Sequence, residues 1–241
     1  MIEVSSIYKT FGKFEVLKDV IFNAMPGQCI ALIGPNGCGK TTLIKTILGM
    51  TLADSGNMKF LGKDIGKDHT YRNGIGYMPQ KTKFPENMTV EQVINMISDI
   101  RGEKFRLDDE LIQTYQLESI YSKRIRTLSG GTRQKLGASI AFMFSPSLLI
   151  LDEPTAGLDP ISSEILRKKI IKEIKKDKST IISSHVLSEL DEIATHVIYM
   201  QEGRIMFQKS VEELKQMTGE ERLTKIITKI VHNKVIHEEN I

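Results

Sequence analysis

The sequence predicts an α/β fold with a parallel-sheet core, an antiparallel β subdomain at its edge and an inserted α-helical subdomain. Three observations predict it. Short apolar segments, one of them bounded by Pro26-Gly27 and a glycine-rich stretch, end in polar residues, the way buried parallel strands present a ligand site at their C-terminal ends. Residues from about 86 to 145 carry apolar positions at helical spacing instead. Residues 1–25 and about 54–77 show short runs broken by glycine, which suits small antiparallel strands.

Along the chain, Gln28 to Gly34 (QCIALIG) follows Pro26-Gly27 and enters a glycine-rich stretch, so it reads as the first buried strand. Thr41 to Leu48 is helix-like. Leu148 to Leu151 is a second buried strand ending in Asp152-Glu153, and Thr180 to Ser184 is a third, ending at His185. In the helical insertion, Val90, Val93, Ile94 and Ile97 share one helix face and Leu136, Ile140, Met143 and Phe144 another. Gly56, Gly62, Gly66 and Gly74 punctuate the β-rich edge. After about Val211, Leu223, Ile226, Ile227 and Ile230 recur at helical spacing among lysines, which predicts a terminal helix packed on the body or on a neighbour.

At 241 residues the chain can bury a sizeable core, and 40% hydrophobic with 26% charged residues excludes both disorder and a fibrous repeat. A formal charge of +3 is too small to argue for a nucleic-acid or lipid-headgroup partner. Cys29 and Cys38 have no metal-ligand spacing and no further cysteine to pair with, which fits a reducing compartment. The first residues mix charged with apolar side chains, unlike a secretion signal. No window approaches the roughly 18 to 20 consecutive apolar residues of a membrane span. A membrane role is therefore expected to run through a partner chain.

Gly34-Pro35-Asn36-Gly37-Cys38-Gly39-Lys40-Thr41 satisfies G-x-x-x-x-G-K-[ST] between a predicted strand and a predicted helix, the context that gives this motif its meaning. Glycines let backbone N–H groups turn inward around phosphate oxygens, and the helix N-terminus adds partial positive charge. Lys40 can then reach the β and γ phosphates, the Thr41 hydroxyl is placed for Mg²⁺, and Thr42 is next in line. Cys38 reads as a tolerated small residue. The fold class this implies is that of P-loop nucleoside triphosphatases. Asp152-Glu153 supplies the acidic counterpart: Asp152 at the strand tip can hold Mg²⁺ through water, while Glu153 points elsewhere and can polarise an attacking water.

The segment Leu128-Ser129-Gly130-Gly131-Thr132-Arg133-Gln134-Lys135, just ahead of that acidic strand, resembles the signature of the ATPase subunits of ATP-binding cassette (ABC) transporters. The resemblance spans about residues 1–215, an ATPase domain, and leaves 216–241 as a helical tail. It implies that Phe11 stacks on adenine, that Gln80 in Tyr77-Met78-Pro79-Gln80 touches Mg²⁺ and water, that Asp159 lies in a dimer-contact loop and that His185 holds the γ-phosphate. Taken singly, Phe11 reads more readily as a core or edge aromatic and Gln80 as a loop glutamine. Ser129 before Gly130-Gly131 is also a helix-capping arrangement whose exposed N–H groups make a second anion site. The resemblance implies that this second site meets ATP held by another copy, so a homodimer with composite ATP sites is expected. Thr132 stands where the family usually has glutamine, and Phe11 where it usually has tyrosine; neither removes a catalytic group.

The resemblance implies Mg²⁺-dependent ATP hydrolysis that drives separate transmembrane permease subunits, with the chain peripheral on the cytoplasmic face of the inner (plasma) membrane. Lys81 to Glu91 (KTKFPENMTVE) is the candidate permease contact, with Phe84 and Met88 either its apolar anchors or buried within the helical subdomain. The alternative is a soluble mechanoenzyme of the same superfamily acting in translation or DNA repair, although such relatives join two cassettes or carry a long coiled coil. Gln134-Lys135-Leu136-Gly137 and Gly157-Leu158-Asp159-Pro160 look exporter-like and similar to the ATPase of nitrous-oxide reductase copper-site maturation.

Overall fold

A computed structural model describes residues 1–66, 68–102 and 107–238, with side chains of the final helix described to residue 232. Residues 103–106 of the expected helical insertion and 239–241 of the expected tail lie outside the described residues.

The chain opens with the antiparallel strands β1 (Ile2–Phe11) and β2 (Phe14–Ala24), joined by a tight turn. Strand β3 (Cys29–Ile33) leads through the glycine loop into helix α1 (Lys40–Ile47). Strands β4 (Ser55–Phe60) and β5 (Lys63–Asp64) complete the first sheet, whose order is β2-β1-β4-β5. Strand β6 (Ile75–Met78) is followed by helices α2 (Val90–Arg101), α3 (Glu110–Thr114) and α4 (Gly130–Met143). Strand β7 (Leu148–Asp152), helix α5 (Pro160–Ile174) and strand β8 (Ser179–Ser183) return to the core. Strands β9 (His196–Gln201) and β10 (Arg204–Ser210) and helices α6 (Val211–Thr218) and α7 (Leu223–Glu238) end the described chain.

The second sheet runs β10-β9-β3-β8-β7-β6, parallel except for β10. Period-two alternation divides its strands between two apolar layers. Leu148 and Ile150 face the layer shared with β1, β2 and α1, whereas Leu149 and Leu151 face the layer shared with α4, α5 and α7. Each such side chain, taken from water to a fully buried position, contributes roughly 1.5–3 kcal/mol. The helical insertion has its own small core of Val90, Val93, Ile94, Leu136 and Met143, among others, against which Ile140 and Phe144 pack.

The parallel core, antiparallel subdomain and helical insertion all appear as the sequence predicts, with one reassignment. Residues 75–77, expected in the antiparallel edge, belong to β6 of the parallel sheet, where Ile75 pairs with Leu148 and Tyr77 with Ile150. Gly76 is what admits the strand there: a Cβ would stand 2.0 Å from the Ala141 carbonyl oxygen of α4. The insertion is also less continuously helical than its spacing suggests. Helix α2 begins only at Val90, where Thr89 and Gln92 form a reciprocal capping box, and 3-10 turns fill Leu117–Ile120 and Ile125–Thr127. At the other end, Leu223 and Ile226 of α7 are buried against the sheet, so the terminal helix packs on the body.

Candidate functional site

The glycine loop sits where β3 meets α1, at the C-terminal edge of the parallel sheet. Gly34 must be glycine, because a Cβ would stand 2.2 Å from the Met200 carbonyl oxygen on β9. Gly39 caps α1 at φ 108°, a left-handed conformation open to glycine, and it brings no side chain to the cap. The first-turn N–H groups of α1 therefore face the cleft without a side-chain acceptor, the arrangement that receives anions. Lys40 lies back across the loop, its Nζ donating to the carbonyl oxygens of Gly34 at 2.7 Å and Pro35 at 3.1 Å. Cys38 is buried, with its N–H on the Pro35 carbonyl and its carbonyl accepting from Gly203, so it holds the loop rather than facing the cleft.

The acidic end is built by the tips of β7 and β8. Asp152, 8% exposed, accepts a hydrogen bond on Oδ1 from the Ser183 hydroxyl. The Glu153 N–H donates to the Ser183 carbonyl at 3.1 Å and to its hydroxyl at 3.2 Å. Glu153 has φ 52°, and a non-glycine residue held there costs on the order of 1–3 kcal/mol. Its carboxylate meets His185, whose Nε2 lies 2.7 Å from Glu153 Oε1. Burial pushes the Glu153 carboxyl above its ordinary range, His185 and Lys40 pull it down, and Asp152 and Glu189 push it up; the net direction is upward.

Between the two ends lies a cleft of about 360 Å³. Asn36, Gly37, Gly39 and Lys40 line it from the loop, Thr41 and Thr42 from α1, and Asp152, Glu153 and His185 from the strand tips, with Gln80 arriving from the segment after β6. The structure thus brings these ten sequence-selected residues to one place. Gly34, Pro35 and Cys38 shape the loop without lining the cleft. The oxygen donors of Thr41, Gln80 and Asp152 suit a hard cation such as Mg²⁺. No group of three or more His, Cys, Asp or Glu side chains among the described residues could hold a metal ion.

The remaining selected residues lie elsewhere. Phe11 is at the end of β1, 51% exposed, with Lys9 Nζ 5.3 Å from its ring centroid. Ser129 caps α4 by accepting the Thr132 N–H at 3.2 Å, and its hydroxyl also meets the Thr132 hydroxyl at 2.8 Å. Gly131 packs against the loop of Gly157, where a Cβ would come within 2.8 Å of the Gly157 carbonyl oxygen. Asp159 caps α5 through Ser162 and pairs with Lys135 at 3.0 Å. The Ser162 hydroxyl and N–H, then Lys135, hold its carboxyl well below the usual carboxylate range. Ser129, Gly130, Gly131 and Asp159 therefore belong to a second surface that does not line the cleft.

Sequence reasoning missed two residues here. Val16 of β2 lines the cleft, and no local pattern marks it. Ser183 ties Asp152 to Glu153; its signal was a hydroxyl at the end of an apolar strand, two positions before His185. Phe84 and Met88 pack part-buried against the core of the helical insertion, which favours the second of their two readings.

The chain as a whole is similar to several known proteins. The model of the ABC transporter family matches residues 17–156. The ABC transporter ATP-binding protein YxlF of Bacillus subtilis (strain 168) is 32% identical over 240 residues, 98% of this chain and 78% of that protein. The lantibiotic transport ATP-binding protein SrtF of Streptococcus pyogenes is 32% identical over 240 residues, 99% of each chain. Among solved structures, an ATP-binding subunit of an ABC transporter superposes with a TM-score of 0.89 at 26% identity, over 96% of this chain and 99% of that one.

Proposed function

The chain belongs to the ABC transporter family as an ATP-binding, ATP-hydrolysing subunit, and we propose that it works as a homodimer with two composite ATP sites that drives separate transmembrane permease subunits. The observation that carries this reading is the division of the anion-binding features. Lys40, Thr41, Glu153 and His185 share one cleft, while the Ser129 cap on α4 lies outside it. A single chain therefore offers two half-sites, and a second copy supplies the natural complement. A relative that spans 99% of both chains is named for lantibiotic transport, which supports transport over a mechanoenzyme of translation or DNA repair.

Within each proposed site, Lys40 and the loop N–H groups would bind the β and γ phosphates, and Phe11 would stack on adenine. Thr41, Asp152 and Gln80 would hold Mg²⁺, which when bound neutralises charge on the phosphate oxygens. Glu153 would orient and deprotonate the attacking water while His185 fixes its carboxylate and meets the γ-phosphate. Preorganised contacts of this kind are each typically worth about 3 kcal/mol of barrier. Ser129, Gly130, Gly131 and Asp159 would act in trans. No helix among the described residues is long and apolar enough to cross a membrane, so we place the chain peripherally, on the cytoplasmic face, through its partner. Residues 1–215 would form the ATPase domain and 216–241 a helical tail.

Glu153→Gln should trap ATP and lock the dimer, read by size-exclusion chromatography at saturating ATP and Mg²⁺. A variant that stays monomeric with or without its membrane partner removes the composite site, and one that hydrolyses at the wild-type rate moves the base elsewhere. The finer reading, copper-site maturation of nitrous-oxide reductase, is supported only by the residues Gln134 to Gly137 and Gly157 to Pro160. Full copper content of that reductase in a strain lacking this gene would overturn it.

A further inference from the structure

Phe11 ends β1 with its ring half exposed, beside a bulge that reaches the cleft. Lys9 pairs with Leu17 and Thr10 with Glu15, so Val16 is the extra residue of β2, and Val16 lines the cleft. What holds this end of β1 is Asp54, the residue before β4. The ladder between β1 and β4 runs from Ile2 and Phe60 to Tyr8 and Ser55 and stops there. Just beyond it, the Asp54 N–H donates to the Tyr8 carbonyl at 2.9 Å, and Asp54 Oδ2 accepts the Thr10 N–H at 2.6 Å. The carboxylate thus takes the place of the next ladder acceptor. Its other oxygen, Oδ1, accepts from Lys9 Nζ at 2.6 Å, and that ammonium lies 5.3 Å from the centroid of the Phe11 ring. Lys9 first, and the Thr10 N–H next, hold the Asp54 carboxyl below the usual carboxylate range.

Closing the ladder alone does not call for a carboxylate, since a backbone carbonyl would serve the Thr10 N–H as well. Asp54 has two oxygens, and it uses one on the backbone that leads into Phe11 and the other on the cation at the Phe11 ring. Both the strand end and the ring are held by one side chain. A ring on the surface loses freedom when a ligand stacks on it, and fixing it beforehand removes that cost from binding.

We propose that Asp54 is a positioning residue for the nucleobase: by holding Thr10 and Lys9 it presets the Phe11 ring on which the base stacks, without touching the nucleotide itself. This rests on the reading of Phe11 as the ring that meets adenine, and it deepens that reading.

The test compares the affinity of the full chain for ADP with its affinity for pyrophosphate, by titration calorimetry. Pyrophosphate occupies the glycine loop but carries no base, so the ratio of the two affinities isolates base recognition. Phe11→Ala should lower the ratio about tenfold, the loss of one base–aromatic stack. Asp54→Ala removes two contacts at an exposed site and should lower it about fivefold, leaving the affinity for pyrophosphate within about twofold of wild type. Asp54→Asn keeps a single acceptor oxygen, enough for Thr10 or Lys9 but not both, and should fall between Asp54→Ala and wild type. In the Phe11→Ala background Asp54→Ala should change the ratio by less than about 1.5-fold, because residues that act through one another are not additive. A folded Asp54→Ala chain with the wild-type ratio overturns the proposal. So does an equal fall with and without the Phe11 ring, or a loss of pyrophosphate affinity in step with that of ADP. If Phe11→Ala itself leaves the ratio unchanged, the stacking reading fails, and the role of Asp54 fails with it.

Discussion

Ser183→Ala removes one hydroxyl from the fully buried tip of β8, and the structure sets the size of the effect. That hydroxyl donates to Asp152 Oδ1 and accepts from the Glu153 N–H at 3.2 Å. Glu153 keeps the Ser183 carbonyl at 3.1 Å, so the substitution strips mainly the bond to the carboxylate. A hydrogen bond to a charged group contributes about 1.5–3 kcal/mol, roughly 10- to 150-fold in an equilibrium or rate. Asp152 is 8% exposed and can recover part of this from water, which places the effect near the low end, about tenfold. The assay is steady-state ATP hydrolysis against Mg²⁺ concentration at saturating ATP. The half-saturating Mg²⁺ concentration should rise about tenfold, and the same loss of about 1.5 kcal/mol should lower the melting temperature by roughly 3–6 °C. A folded variant whose Mg²⁺ dependence matches wild type would refute the claim that Ser183 orients Asp152 for the metal.

Three further outcomes follow from the charges. As the proposed base, Glu153 would work ionised, so activity should fall as pH drops through its raised pKa; His185 pulls that pKa down, and His185→Ala should move the acid limb of the residual pH–rate profile to higher pH. A limb that stays put or moves lower contradicts the 2.7 Å pairing. Lys169, 2% exposed, bridges Asp108 at 2.6 Å and Glu110 at 2.9 Å near the start of α3 to Glu173 at 3.0 Å on α5. Breaking a buried pair costs about 3–5 kcal/mol, and Lys176 and Lys178 remain on Glu173, so Lys169→Met should cost about 3 kcal/mol. In calorimetry this is a fall of roughly 6–12 °C in melting temperature for a chain of this size. Burial pushes the Glu173 carboxyl up, but Lys176, Lys178 and Lys169 together bring it down to about 2. Its contribution to stability is therefore complete above the ordinary glutamate range and is lost as pH falls through about 2.

What was legible beforehand was local. The phosphate loop from Gly34 to Thr41, the Asp152-Glu153 strand end and the Ser129 cap are contiguous residues whose conformation their own chemistry dictates, so motif and spacing suffice to find them. The apolar runs at Cys29–Ile33 and Leu148–Leu151 likewise reveal a parallel core, because strands covered on both faces read as near-continuous apolar runs.

What could not be read in advance depended on partners distant in the chain. Whether residues 75–78 join the core or the edge is decided by pairing with Leu148 to Leu151 and by the Ala141 carbonyl that Gly76 admits. The link from Ser183 to Asp152 spans 31 positions and that from Asp54 to Thr10 spans 44. No sequence window holds both partners, and hydrophobic periodicity does not record which side chains a folded sheet brings within hydrogen-bond reach. The residue types and their local spacing determined the chemistry on offer; packing of remote segments determined that Lys40, Glu153 and His185 share one cleft while Ser129 and Asp159 are held away from it.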